Sequence, residues 1–251
     1  MFMSMVDELR HDAIYPELAG QRVLITGTST GLGVDISRAF ADHATQLVLQ
    51  TTDSSPEMHS VCRVLAEATS DLQVFEKRLD KTDEAVAFLQ GPAQSTFGGL
   101  EAVINLIRID REDLAGRYEL EQIEDLIADK LVPATMIGRI AANRMRTTWI
   151  DGLILNVIAA PSSQTPQEMA LVDMLRATLA TVTRREAQAW EELGIRINAV
   201  GPCSYADEAM GATDHALTGE AAVAKLALYL ASSRGKGLSG HVFDATNMGG
   251  F

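Results

Sequence analysis

Short apolar runs alternate with longer stretches of helical periodicity along most of this chain. Strand-like runs occupy residues 23–25, 47–49, 72–75, 102–104, 153–158, 195–200 and 242–243. Helical patterns fall between them, at 32–43, 57–68, 84–90, roughly 120–145, 167–192 and 219–232. In the fifth of these, Leu171, Leu175, Leu179 and Val182 recur at the spacing of one helix face. The strand runs are apolar throughout, as strands covered on both faces must be. The alternation predicts an α/β fold: one Rossmann-like, doubly wound domain with a seven-stranded parallel sheet and helices on both faces. Residues 1–20 read as an N-terminal leader broken at Tyr15-Pro16, and residues 21–251 as the domain. No repeat, low-complexity tract or linker divides it.

The first strand run feeds directly into Thr26-Gly27-Thr28-Ser29-Thr30-Gly31-Leu32-Gly33. Glycines between a strand and a helix let the backbone approach a phosphate pair, and free N–H groups at the helix start meet its charge. Gly27 to Gly33 are therefore expected at the C-terminal edge of the strands. The bland alternative is an ordinary strand-to-helix turn with no ligand.

The spacing differs from the dinucleotide fingerprint that begins with two glycines one residue apart. Thr-Gly-x-x-x-Gly-x-Gly instead resembles the short-chain dehydrogenase/reductase family, and the resemblance runs nearly the length of the chain. Leu79-Asp80-Lys81-Thr82-Asp83 is similar to a family segment whose first Asp contacts the adenine. Ala102-Val103-Ile104-Asn105 resembles the strand ending in Asn-Asn-Ala-Gly, with only the first Asn present before Leu106-Ile107-Arg108. Ile195-Arg196-Ile197-Asn198-Ala199-Val200-Gly201-Pro202 is close to a further family segment, with Cys203 in place of its final Gly. Tyr229-Leu230-Ala231-Ser232 and Leu238-Ser239-Gly240-His241-Val242 resemble the last helix and strand. The resemblance implies NAD or NADP as cofactor, held by Gly27, Ser29, Thr30, Gly31, Leu32, Gly33, Thr51, Asp80 and Asn105.

The family's reaction places a titratable hydroxyl beside the nicotinamide, because hydride transfer leaves charge on the substrate oxygen. A Tyr supplies it, a Lys four residues on lowers its pKa and binds ribose, a Ser thirteen residues earlier orients the carbonyl, and an Asn holds a relay water. Aligned on Gly152-Leu153-Ile154-Leu155-Asn156-Val157, the Ser position is Ala159, the Tyr position Val172 and the Lys position Arg176, while Lys130 takes the place of the Asn. Valine transfers no proton, and arginine hardly deprotonates. No catalytic set is intact, and the expectation is a non-catalytic structural or regulatory subunit with weak or no NAD(P) binding. The alternative is an oxidoreductase on a small carbonyl or alcohol with a relocated donor, Tyr205 with Lys130, or with Ser162 or Ser163 replacing the Ser. Against it, these serines read as turn residues around Pro161 and Tyr205 as a loop aromatic. A nucleotide-sensing module is a third possibility. Only residues 203–218 separate Pro202 from the next helix, a short lid for a site that works by excluding water.

Cofactor preference is poorly marked. Thr51 stands where NAD users carry Asp, and Thr30 where NADP users carry a basic residue; Asp53 gives a slight lean to NAD unless it caps the turn at Ser54-Ser55-Pro56. The formal net charge of −13 disfavours nucleic acid and anionic membranes. Two distant cysteines, Cys62 and Cys203, and no leader of signal type lead to a cytoplasmic expectation. The five histidines show no metal-ligand spacing, so no metal is expected. A homo-oligomer, dimer or tetramer, or a hetero-oligomer with an active family subunit is expected through the two long helices. Their apolar positions Leu126, Leu131, Met136, Ile137, Ile140, Met169, Leu171, Met174 and Leu175 exceed one stripe.

Overall fold

The computed structural model describes residues 14–79, 82–90, 99–117, 119–162, 165–205 and 220–244. Seven strands form one sheet in the order β3-β2-β1-β4-β5-β6-β7. They are β1 (Arg22–Thr28), β2 (Gln46–Thr51), β3 (Asp71–Glu76), β4 (Ala102–Arg108), β5 (Leu153–Pro161), β6 (Arg196–Tyr205) and β7 (Val242–Phe243). Every pairing is parallel. Strand order reverses between β1 and β4, so the crevice of an open α/β sheet lies there, at the strands' C-terminal ends.

The connecting helices are α1 (Val34–Ala41), α2 (Pro56–Ala68), α3 (Thr82–Gln90), α4 (Arg111–Leu114), α5 (Leu120–Thr148), α6 (Pro166–Trp190) and α7 (Glu220–Ala231). Local chemistry starts several of them. Ser55 caps α2 by accepting the Met58 N–H, with Pro56 in the first turn. Thr165 and Glu168 form a reciprocal capping box at α6.

Side chains of successive strand residues enter opposite layers. Val23 and Ile25 join a cluster with Ile36 and Phe40 of α1, Leu65 of α2 and Val223 and Leu230 of α7. Leu24 between them joins Phe88 of α3, Ile137 and Met145 of α5 and Ala187 of α6. A third cluster fills the second layer toward the strands' C-terminal ends, combining Ile107, Ile109, Leu114, Leu126, Leu131, Ile158, Leu171, Val172 and Leu175. The period of two and apolar helix faces thus produce the expected doubly wound sheet.

The structure departs from the sequence reading at several points. β5 and β6 continue beyond 158 and 200, because Ala159, Ala160 and Pro161 pair with Cys203, Ser204 and Tyr205 after an irregularity. The short helix α4 has no apolar period to announce it. Leu18 is fully buried in the first cluster, so packing begins inside the segment read as leader.

Candidate functional site

The glycine turn stands at the predicted crevice. Gly27 has φ +76°, and a Cβ there would lie 2.5 Å from the Leu106 carbonyl oxygen of β4. Gly33, the residue preceding α1, has φ +88°, and its Cβ would lie 2.4 Å from Leu106 Cδ1. Only glycine meets both demands.

The turn's amides are largely taken by the protein itself. Ser29 N–H donates to the Leu32 carbonyl at 2.8 Å, and Leu32 N–H donates back to Ser29 at 3.2 Å. Gly27 N–H donates to Gln50 Oε1 at 2.8 Å, and Thr30 N–H to Asp53 Oδ2 at 2.9 Å. The other oxygen of Asp53 accepts the Ser55 N–H at 3.0 Å. Bonds to Ser55 first, and to Thr30, hold the Asp53 carboxyl down at about 2. Asp53 therefore caps the Ser54-Ser55 turn, as one sequence reading had it, and pins the glycine turn as well. Thr51 is buried, its hydroxyl donating to the Thr28 carbonyl at 2.6 Å.

Asn105 forms the floor. Its Oδ1 accepts the Thr26 hydroxyl at 3.0 Å, and its Nδ2 donates to Asn156 Oδ1 at 2.9 Å and to the Ala134 carbonyl at 3.3 Å. Above it, Arg108 donates through Nε to Asp110 Oδ1 at 2.6 Å and through Nη1 to Ser29 Oγ at 3.4 Å. The guanidinium thus hangs over the glycine turn, a role the sequence reading did not assign. A cavity of about 260 Å³ lies between these groups, lined by Gly27, Gln50, Leu79, Asn105, Arg108 and Lys130 among others. Pockets that take drug-sized ligands run from ~300 Å³ upward, so this one is narrow. Asp80, expected at the adenine, lies outside the described residues.

Of the four aligned catalytic positions, two are core residues and two are ion-paired. Lys130 is ion-paired with Asp113 of α4. Ala159, with no exposed surface, packs in the first cluster, while Val172, 2% exposed, packs in the third on the other face of the sheet. Arg176 donates to Asp244 Oδ2 at 3.2 Å, tying α6 to the residues after β7. Ser162 is exposed, Ser163 lies outside the described residues, and for Tyr205 the backbone alone is described, paired with Pro161.

One group at the turn was missed altogether. Glu220, the first residue of α7, is buried beside the start of α1, and burial foremost, with Asp35, raises its carboxyl to about 7 against the pull of the Gly33, Asp35 and Ile36 amides. No local pattern reveals it, since the two helices meet only in the fold. Among the described residues no group of three or more His, Cys, Asp or Glu side chains is placed to hold a metal, and no helix is long and apolar enough to cross a membrane.

Known proteins share this architecture. A 3beta-hydroxysteroid dehydrogenase of Eggerthella lenta is 24% identical over 75% of this chain and 72% of its own length. A cis-4-hydroxycyclohexanecarboxylate dehydrogenase of Sinomonas cyclohexanicum is 29% identical over 76% of each. A crystal structure of a short-chain type dehydrogenase/reductase from Mycobacterium marinum superposes with a TM-score of 0.73 at 19% identity, covering 96% of this chain and 97% of that one. The family model described as short chain dehydrogenase matches residues 21–216, and the chain, with its glycine turn on β1 and its seven-stranded sheet, belongs to that family.

Proposed function

We propose that this member of an oxidoreductase family does not carry out the family's hydride transfer and serves as a structural or regulatory subunit, binding NAD(P) weakly or not at all. One observation carries the reading: the chemistry end of the sheet is core. Val172 packs among Leu126, Leu131, Leu171 and Leu175, and Ala159 lies buried on the opposite face, so neither position presents a proton donor to a common point. The narrow cavity and the self-bonded amides of the glycine turn support weak cofactor affinity. Titration of the purified chain with NADH and NADPH, followed by fluorescence, is expected to give weak or no saturation, and carbonyl and alcohol panels no turnover.

The names of the relatives, dehydrogenases and a reductase, favour a second reading: an NAD(P)-dependent oxidoreductase on a small carbonyl or alcohol with Tyr205 as donor. Lys130, the helper paired with it in this reading, lines the cavity and is ion-paired with Asp113. Robust NAD(P)H consumption that disappears in Tyr205→Phe would establish this reading and end the first.

For the partner we propose a second copy, met through α5 and α6. Leu126, Leu131, Ile137, Leu171 and Leu175 turn inward, so the apolar excess is smaller than the sequence count. What stays outside is Val132, Met169 and Met174, together with a groove of about 590 Å³ floored by Ile127, Met136 and Ile140. Arg139 of α5 and Glu186 of α6 pair at the same face, so two-fold apposition would set opposite charges against each other. Val132→Glu is expected to convert a dimer to monomer in analytical ultracentrifugation; a monomeric wild type at micromolar concentration would rule the contact out.

A further inference from the structure

The N-terminus of α1 is where a phosphate would be met in a strand–turn–helix unit of this kind, because its first amides lack partners within the helix and carry the positive end of its dipole. Here an internal anion faces that end. Glu220 comes from α7, far along the chain, and is 9% exposed. Its Oε1 is buried with no hydrogen-bond partner. The amides of Gly33, Asp35 and Ile36 favour its charged form. A carboxylate buried against a helix start with one oxygen left unpartnered is a costly arrangement unless something relieves it.

Resting on the reading of the crevice as a nucleotide cleft, we propose that Glu220 is a carboxylate gate: its charge occupies the α1 terminus, and a pyrophosphate-bearing ligand binds there only with Glu220 neutral. The ionised side chain would sit against an incoming phosphate and repel it. Protonated, it removes that repulsion and offers a donor to the ligand's oxygen.

The neighbours set where the gate turns. From α1, Asp35 opposes ionisation of Glu220 and the Gly33, Asp35 and Ile36 amides favour it. From β6, the Cys203 thiol is itself pushed up to about 12 by burial and by the Glu220 charge, so it stays neutral and donates to the Ile158 carbonyl at 3.4 Å. The balance leaves the carboxyl at about 7, between its two states near neutrality.

The test uses the full chain with ADP-ribose and NADH, whose pyrophosphate diesters do not titrate near neutrality, and adenosine as the ligand without phosphate. Calorimetric titrations would run from pH ~6 to ~8.5. Apparent affinity scales with the competent fraction, so wild type is expected to weaken about thirtyfold over that span, while Glu220→Gln binds with little pH dependence and about thirtyfold more tightly at the upper end. Adenosine affinity should not change with pH in either protein. Should Glu220→Gln fold poorly by circular dichroism, Glu220→Ala is expected to behave in the same direction. Equal, pH-independent binding of ADP-ribose by wild type and variant overturns the gate and leaves the cleft. Absence of binding by both proteins at every pH overturns the gate together with the cleft.

Discussion

Two strand-to-helix crossings on this sheet have fared differently. The β1–α1 crossing has the backbone geometry of a phosphate turn, with Gly27 and Gly33 at positive φ and Gly27 packed so tightly on the Leu106 carbonyl that no side chain fits. The β5–α6 crossing has its strand and its capped helix, and the positions aligned with the family's Ser and Tyr hold the buried Ala159 and Val172. The difference separates two kinds of site. A site made of backbone is part of the fold, and replacing its glycines disturbs the sheet. A site made of side chains on a well-packed frame can be exchanged for core at little cost to that frame, because apolar residues of suitable volume are welcome there.

If the β5–α6 end is core, removing a side chain there should be expensive. Leu175→Ala is expected to destabilise by about 3 kcal/mol, read as a lowered denaturation midpoint at unchanged slope, since the residue is fully buried in the third cluster. A loss below about 1 kcal/mol would mean an open pocket instead.

At the other crossing, burial holds the folded-state carboxyl of Glu220 above its unfolded value of 4.5, at about 7. The folded protein then keeps a proton that the unfolded chain has released, so stability falls as pH rises from about 4.5 to about 7 and is level above that. Glu220→Gln should remove this slope and gain up to about 3 kcal/mol at pH ~8, as an upper bound. Identical pH profiles of thermal unfolding would show that the site does not strain the carboxylate.

Placing a hydroxyl at position 172 bears on both crossings. Val172→Tyr forces a ring and a phenol among Leu126, Leu131, Leu171 and Leu175, and is expected to destabilise by about 2 kcal/mol. With Ala159→Ser and Arg176→Lys added, no NADH oxidation should appear, because the first two positions face different layers. Turnover by that triple variant would show that the positions do converge.

The smallest effect is expected at Asp53. Its stabilisation is present above the unfolded value of 3.8 and is lost as pH falls through about 2. The group is part-buried at the protein surface, where water still screens it, so Asp53→Ala should destabilise by under about 1 kcal/mol at neutral pH. A larger change would mean that the glycine turn depends on that one carboxylate for its shape.

Much of this molecule was legible beforehand. Apolar runs such as Leu47–Leu49 and Ala102–Ile104 could only be buried strands between helices, and the glycine spacing located the crevice. The apolar face of α5 and α6 is narrower than the pattern suggests, because Leu126 and Leu171 serve the third cluster of their own domain; pattern alone does not say which neighbour covers a residue. Arg108 and Glu220 escaped notice for a related reason. Each acquires its role from a partner far away in sequence, Ser29 for the first and the start of α1 for the second. β5 and β6 ran past their apolar stretches because the backbone pairing around Pro161 and Tyr205 carries them, and pairing has no local signature.

The Thr26, Asn105 and Asn156 side chains form a rung across β1, β4 and β5, buried and hydrogen-bonded from end to end. A one-residue slip of β4 would turn Asn105 into the opposite layer and leave its two neighbours' polar atoms stranded. These three strands therefore open together or not at all. Their amides should exchange with deuterium only through the global transition, while those of the exposed edge strand β3 exchange through local fraying, so the floor of the crevice outlasts its rim.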